Sequence, residues 1–191
     1  MIIGIAGKKR SGKDTAAKVF ERLGFTHDSF AAPMRRFVQD ILGCELRDED
    51  KEAPIEWLSD TRVEVTSLHS TAREYGVGER QTMTPRKMLQ TLGTEWGRNM
   101  VHPDLWVRAM MRRAPPMCVI SDVRFENEAA AIRASGGVIV HIYRRPMMSD
   151  NHVSEAGVKF RDGDFIVHNA GTLSEFVNSV ERVSEIILSE K

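Results

Sequence analysis

The sequence holds only two cysteines among its 191 residues, Cys44 and Cys118. They are too few and too far apart for a disulfide framework or a cysteine zinc site. The six histidines show no metal-ligand spacing, and His141 and His168 fall inside strand-like runs, where core or rim positions are expected. The composition therefore excludes a disulfide-rich secreted domain, and we expect both thiols to be reduced and structural.

Long apolar runs and an excess of charge are missing as well. No apolar stretch approaches the ~18 residues of a membrane span, and the first strand is predicted from residue 2, so we expect no signal or transit peptide. Lysine and arginine (27) balance aspartate and glutamate (27), which gives a formal net charge of zero. Local basic clusters then suit small phosphates better than nucleic acid. We expect a cytoplasmic protein that binds neither membranes nor nucleic acid.

A glycine-rich loop stands near the amino terminus. The short apolar run IIGIA leads into GKKRSGKDT at residues 7–15, and an amphipathic helical stretch follows. Strand, glycine loop and helix in this order predict a phosphate-binding loop. Its two glycines let the backbone turn its N–H groups inward, around a polyphosphate at the positive end of the following helix.

The loop residues divide into a phosphate cradle and a metal ligand. Nucleotide binding is assigned to Gly7, Lys9, Arg10, Ser11, Gly12, Lys13, Asp14 and Thr15. Lys13 places a point charge on the β- and γ-phosphates and is a catalytic candidate. The hydroxyl expected directly after this lysine is displaced by Asp14, so Thr15 is assigned to Mg²⁺; Gly-Lys-x-Thr resembles the adenylate-kinase branch of nucleoside monophosphate kinases. For Asp14, contacts with the metal and with the acceptor both stay open.

Further strand-like segments alternate with helical stretches. They cover residues 25–30, 117–122, 138–143 and 164–168. Crossovers of this length force parallel strands with right-handed connections, so we predict one domain over residues 1–191, a three-layer α/β/α fold with five strands in the order 2-3-1-4-5. Ligands bind at the carboxyl ends of such strands, where Gly7, Asp122, Arg144 and Asn169 fall.

Two polar segments interrupt this alternation. We interpret residues 44–83 as a mobile flap on the acceptor side, with an insertion without a role or an oligomer contact as alternatives. Residues 144–163 occupy the place of the lid in monophosphate kinases, and their cations would neutralise the transferring phosphoryl group. These cations are Arg144, Arg145, Lys159 and Arg161, for which a merely solvated basic loop is the alternative.

The remaining candidates concern the metal and the acceptor. Asp122 ends a buried strand predicted to lie beside the first, where phosphate-loop proteins carry a carboxylate for the Mg²⁺ shell. Arg124 is offset by two positions from an acceptor-binding arginine of adenylate kinases and is assigned by similarity, also as catalytic. Substrate-binding candidates are Arg35, Arg36, Arg86, Gln90, Glu95 and Arg124; Trp106 is a weaker one, and surface or packing roles are the alternatives. Asn169 follows the last strand, and in this fold the loop at that place commonly borders the adenine.

The separate pieces together resemble the deoxynucleoside monophosphate kinases of tailed bacteriophages. The matching stretches are GKKRSGKDTAA, RKMLQTLGTE, DLWV, SDVRFENEA, VIVHIYRRP, DNHVSEAGVKFRDGD and IVHNAGTLSEF, which leave chiefly residues 44–83 unmatched. The resemblance implies transfer of the γ-phosphoryl group of ATP, with Mg²⁺, to a deoxynucleoside 5′-monophosphate. It also implies the host cytoplasm if the gene is a phage gene, and a homodimer stays open.

Two other functions remain open at this point. A kinase similar to dephospho-coenzyme A kinase or phosphomevalonate kinase would share the phosphate loop, and an alcohol acceptor would call for a carboxylate base such as Asp14 or Asp28. A regulatory nucleotide-binding module is the second alternative. The sequence lacks the Asn-Lys-x-Asp guanine signature, and its many arginines suit two phosphorylated ligands better than one.

Overall fold

A parallel sheet of five strands has the order β2-β3-β1-β4-β5 that the sequence predicts. The computed structural model describes residues 1–47, 49–59, 82–144 and 157–189. The strands are β1 (Ile2–Ala6), β2 (Thr26–Asp28), β3 (Cys118–Val123), β4 (Val138–Tyr143) and β5 (Phe165–His168). β2 is shorter than predicted, because the N–H of Phe25 is donated to the carbonyl of Phe20 and that of Phe30 to a side chain of β3.

The helices lie between the strands and in one long excursion. They are α1 (Lys13–Arg22), α2 (Ala32–Leu42), α3 (Glu56–Ser59), α4 (Pro85–Gln90), α5 (Leu105–Arg113), α6 (Glu126–Ala134) and α7 (Leu173–Ser189), with a 3₁₀ turn at Asp50–Glu52 and a π-helix at Thr91–Val101. The chain divides into two compact units, one formed by Met1–Ala32 with His102–Lys191 and the other by Pro33–Val101. That both units form one domain stays a prediction.

The first unit has three layers, because the central strands are apolar on both faces. On one face, Ile5 packs with Phe20 of α1 and Phe176 of α7 in a buried cluster. On the other face, a second buried cluster contains Met110 of α5 and Ile132 of α6. Each of these side chains stabilises the fold by about 1.5–3 kcal/mol relative to exposure. Helices on both sides of a parallel sheet give the predicted α/β/α class.

The second unit contains the beginning of the predicted flap. Ile55 donates its N–H to the carbonyl of Met83 at 2.8 Å, and Arg86 of α4 forms an ion pair with Glu52 of the 3₁₀ turn. These contacts tie the segment around α3 to the start of α4. Residue 48 and residues 60–81 of the predicted flap lie outside the described residues, so its mobility stays a prediction.

The helix that begins at Pro85 keeps α-helical winding only as far as Gln90. Thr84 caps it, with its hydroxyl accepting the N–H of Lys87 at 3.2 Å. From Thr91 the backbone winds as a π-helix, in which hydrogen bonds span five residues instead of four. Two glycines lower the α-helical propensity of this stretch. Side-chain directions expected from a 3.6-residue period therefore apply only to α4.

Cys118 lies fully buried on β3, whereas Cys44 is exposed. Burial, reinforced by the nearby Asp28 carboxylate, raises the pKa of the Cys118 thiol to about 11. Its thiol is therefore protonated at neutral pH and acts as a small apolar side chain of the core. None of the helices in the described ranges is long and apolar enough to cross a membrane.

Candidate active site

The loop between β1 and α1 has the backbone that a phosphate cradle requires. Gly7 and Gly12 have φ values of 155° and 107°, which residues other than glycine rarely adopt. A Cβ on Gly7 would lie 2.7 Å from the carbonyl oxygen of Ile142, and one on Gly12 would lie 2.7 Å from Nδ2 of Asn169. Both predicted glycines are thus required by conformation and by space.

The carbonyl oxygens of the loop are held by side chains. Nζ of Lys13 donates to the carbonyls of Gly7 and Lys8, each at 2.7 Å. Nδ2 of Asn169, beyond β5, donates to the carbonyl of Ser11 at 2.8 Å. These contacts satisfy three carbonyl oxygens of the loop, which suits a loop that binds anions through its N–H groups. Asn169 thereby has a contact with the loop that its sequence position alone did not predict.

Ser11 supplies an unusual buried hydroxyl. Its residue is 3% exposed, and Oγ has no hydrogen-bond partner within the described part of the chain. The hydroxyl lies against Gly7, where an added Cβ would be 2.7 Å away. Buried polar groups without partners are rare and costly, so this one fits a loop completed by a bound ligand.

Asp122 is the next-to-last residue of β3 and lies beside the turn that leads into α2. Its Oδ1 accepts the N–H of Phe30 at 2.8 Å, and its Oδ2 accepts that of Ala31 at 2.9 Å. The carboxylate therefore fixes the turn at residues 29–31, a role that the sequence did not reveal. The assignment of Asp122 to Mg²⁺ stays a prediction.

Asp28, considered above as a base, is held in an ion pair. Nε and Nη2 of Arg113 donate to its two carboxylate oxygens at 2.9 and 3.3 Å, and Nη2 also donates to the carbonyl of Ser29 at 2.7 Å. Oδ1 of Asp28 also accepts the N–H of Ser29 at 2.7 Å, so both carboxylate oxygens are occupied by these contacts. Arg113 was missed at the level of sequence.

The turn that carries Arg124 is fixed by Glu128. This glutamate is 2% exposed, and its Oε2 accepts the N–H groups of Arg124 and Phe125 at 2.7 and 3.0 Å. Glu128 thereby satisfies the N–H of Phe125, the N-cap residue of α6, as the glutamate of a capping box does. It also fixes the backbone from which the side chain of Arg124 extends at the carboxyl end of β3. A glutamate three residues after the helix cap was a usable sequence signal.

A buried charge cluster lies before β5. The side chain of Asp164 is 2% exposed, and its oxygens accept from Nε and Nη2 of Arg133 at 3.0 and 2.7 Å. Nε2 of His141 lies 3.0 Å from the same carboxylate. Burial alone would raise the pKa of Asp164, but hydrogen bonds from Arg133, His141 and the N–H of Arg161 outweigh it and hold that pKa below its usual range.

Two of the lid candidates contact Glu126, and one contacts the phosphate loop. Arg161 pairs with Glu126 of α6 at 2.6 Å, and the N–H of Lys159 donates to the same glutamate at 3.2 Å. Arg144 is exposed and donates from Nη1 to the carbonyl of Arg10 at 3.3 Å, which connects the end of β4 to the phosphate loop. Arg145 lies outside the described residues.

The acceptor candidates of the second unit are placed as follows. Arg35 and Arg36 are exposed on α2, and Glu95 is exposed on the π-helix. Gln90 is half-buried at the end of α4, and Arg86 is paired with Glu52. In the first unit, Trp106 is buried on α5, as its alternative role in packing requires. The substrate contacts of the other residues stay predictions.

Comparison with known proteins places this site in a family. A protein of Acanthamoeba polyphaga mimivirus, provisionally named as a deoxynucleotide monophosphate kinase, is 33% identical over 201 residues and covers 94% of each chain. The deoxynucleoside-5′-monophosphate kinase of Escherichia phage T5 is 24% identical over 244 residues, covering 98% of this chain and 93% of its own. A dephospho-CoA kinase from Campylobacter jejuni matches in structure with a TM-score of 0.48 and 15% identity, over 97% and 96% of the two chains, a likeness too low to carry an argument.

The family model described as deoxynucleotide monophosphate kinase matches residues 44–180. This range includes the segment 44–83, which the sequence motifs had left unmatched. The resemblance stated from the motifs is thereby confirmed: the chain belongs to the deoxynucleotide monophosphate kinase family.

Proposed function

We propose that the chain transfers the γ-phosphoryl group of ATP to a deoxynucleoside 5′-monophosphate and releases the diphosphate and ADP. The observation that carries this proposal is the phosphate loop, whose carbonyl oxygens are held by Lys13 and Asn169. The lack of a side chain at Gly7 and Gly12, where a Cβ would clash, leaves the loop compact enough to surround a polyphosphate. The hydroxyl of Ser11, which has no partner among the described residues, supports the same proposal.

Donor-side roles follow from positions in the first unit. Lys13 and the loop N–H groups bind the β- and γ-phosphates, while Asn169 borders the adenine. Thr15 and Asp122 offer the hard oxygen ligands that Mg²⁺ prefers, and bound Mg²⁺ would neutralise charge on the β- and γ-oxygens. Asp14 stays open between metal and acceptor.

Acceptor-side roles rest on arginines. Arg124, on a backbone fixed by Glu128, binds the acceptor phosphate together with Arg35 or Arg36. Arg144, with Arg145, neutralises charge on the transferring phosphoryl group. Arg86, Gln90 and Glu95 contribute to recognition of the base or sugar.

The proposed acceptor needs no protein base. A nucleoside monophosphate is largely ionised near neutral pH, so its oxygen attacks without giving up a proton to the protein. Catalysis then consists of positioning and charge neutralisation. An alcohol acceptor would require a carboxylate base, and the bidentate ion pair of Asp28 with Arg113 makes Asp28 a poor one.

An assay of ADP release tests the proposal. The chain is incubated with Mg²⁺ and ATP and with dAMP, dGMP, dCMP, dTMP, the four ribonucleotides or dephospho-coenzyme A. We expect turnover with at least one deoxynucleotide and none with dephospho-coenzyme A. The proposal fails if ADP release follows dephospho-coenzyme A, or if every acceptor leaves the rate at that of ATP alone.

A further inference from the structure

Arg113, the last residue of α5, holds the turn that leads from β2 into α2. Its Nε and Nη2 donate to the carboxylate of Asp28, the last residue of β2, and Nη2 also donates to the carbonyl of Ser29 at 2.7 Å. That carbonyl accepts the N–H of Ala32, the first residue of α2, at 3.2 Å. The guanidinium therefore contacts both the end of β2 and the atom that holds the start of α2.

The rest of this turn is fixed as well. Phe30 is 2% exposed and lies in the same buried cluster as Met110 of α5. Asp122 of β3 accepts the N–H groups of Phe30 and Ala31. A turn with a buried anchor and paired backbone groups opens rarely, so α5 and β3 set the direction in which the chain enters α2.

The other end of α5 lies at the second connection between the two units. The chain returns to the first unit at His102, whose carbonyl accepts the N–H of Leu105, the first residue of α5, at 2.9 Å. Nδ1 of His102 accepts the N–H of Asp104 at 3.0 Å, and the carboxylate of Asp104 accepts from Nδ2 of Asn127 at 2.8 Å. One end of α5 thus holds the chain where it re-enters the first unit, and the other end, at Arg113, holds it where it leaves.

The stability of an ion pair does not explain why residue 113 is an arginine. The side chains of Arg113 and Asp28 are 26% and 21% exposed, and a partly buried ion pair adds little net stability, because desolvation offsets the attraction of the charges. The planar fork of the guanidinium, in contrast, donates in fixed directions to both Asp28 and Ser29, whereas the ammonium of a lysine has no such fixed geometry. The arginine therefore supplies the geometry of the turn.

This geometry matters because α2 carries two of the acceptor candidates, Arg35 and Arg36. Because the backbone hydrogen bonds of a helix keep its residues in fixed relation, a change of direction at Ala32 displaces both. We propose that Arg113 is a positioning residue for the acceptor: its clamp on residues 28–31 fixes the start of α2 and with it the arginines that bind the acceptor phosphate. This role rests on the proposed function, and Arg113 itself neither contacts substrate nor exchanges a proton.

The variant Arg113→Lys tests this role, because it keeps the charge and loses the planar fork. With the deoxynucleoside 5′-monophosphate that the wild type turns over fastest, we expect kcat/KM to fall roughly 10–100-fold. The dissociation constant of ATP, measured by calorimetry, should change by less than about 3-fold. Asp28→Asn should give a similar loss, and the double variant should lose no more than either single variant, since the two residues form one clamp.

Hydrogen exchange followed by NMR gives a readout that does not depend on activity. The N–H of Ala32 should exchange roughly 10-fold faster in Arg113→Lys than in the wild type, because the turn opens more often. Val180→Ala is the control for stability. Val180 is fully buried on α7, so its truncation should lower the melting temperature without changing the exchange of Ala32 or the kcat/KM for the acceptor.

Wild-type kcat/KM for the acceptor in Arg113→Lys would overturn the inference. So would a loss that is equal for ATP and the acceptor, a loss that Val180→Ala reproduces, or unchanged exchange at Ala32. A loss of kcat in Asp28→Asn alone would also overturn it and make Asp28 a base. A wild-type chain that transfers phosphate to no acceptor, while Ala32 responds to Arg113→Lys as expected, would refute the proposed function and leave the clamp on α2 standing.

Discussion

Replacing Lys13 with alanine is expected to lower kcat roughly 1,000-fold, because the charge that meets the transferring phosphoryl group is lost. The substitution also removes the hydrogen bonds from Nζ to the carbonyls of Gly7 and Lys8. The loop N–H groups should then be less well oriented, so the affinity for ATP should fall as well. Steady-state kinetics together with calorimetric titration of ATP separates the two effects.

Lys18→Ala provides the control for this variant. Lys18 is an exposed lysine of the same helix, so its loss changes the net charge equally without touching the loop. Its kcat should stay within about 2-fold of wild type, since exposed charges away from the site have small effects. Near-normal turnover of Lys13→Ala, or an equal loss in both variants, would contradict the assignment of the phosphate loop.

Replacing Asp164 with asparagine is expected to destabilise the protein by about 3–5 kcal/mol, because it leaves Arg133 without its buried partner. The two side chains are 2% and 18% exposed, and they meet at 2.7 Å. The folded-state pKa of Asp164 lies below its usual range, so its stabilising contribution is present above the unfolded-state pKa of about 4 and is lost as the pH falls through the folded-state value. Urea unfolding at a series of pH values measures the loss of unfolding free energy and its dependence on pH.

The difference in unfolding free energy between wild type and Asp164→Asn should shrink as the pH falls below about 4. Glu181→Gln is the control, because Glu181 forms an exposed ion pair with Arg22 at 3.2 Å. Glu181→Gln should lower the free energy of unfolding by less than about 1 kcal/mol. Equal costs for the two variants, or a difference that does not depend on acid pH, would show that the buried cluster contributes no more than a surface pair.

The sheet could be predicted from the sequence because its determinants are local. Apolar β-branched runs mark the strands, glycines and prolines end the helices, and crossover length forces parallel pairing. The wide turns from Thr91 to Val101 could not be predicted, because an apolar pattern over so short a stretch does not distinguish α from π winding. Likewise, the early end of β2 depends on Asp122, which lies 92 residues from Phe30.

The site could be predicted in part, for the same reason. The phosphate loop is one continuous motif, so Lys13 and the two glycines are found where the sequence places them. The ion pair of Arg113 with Asp28 joins residues 85 apart, and the contact of Asn169 with Ser11 joins residues 158 apart. Contacts over such separations leave no spacing pattern. The positive φ of Arg10, 60°, is equally invisible to sequence, since a φ value follows from the folded loop.

The most direct test of phosphoryl transfer follows the phosphate itself. The chain is incubated with γ-labelled ATP, Mg²⁺ and a mixture of the four deoxynucleoside 5′-monophosphates, and the labelled products are separated by chromatography. We predict label in one or more deoxynucleoside diphosphates, formed roughly 1,000-fold more slowly with Lys13→Ala. Label found only in inorganic phosphate, or remaining entirely in ATP, would contradict the account and indicate a nucleotide-binding module that hydrolyses or merely holds its ligand.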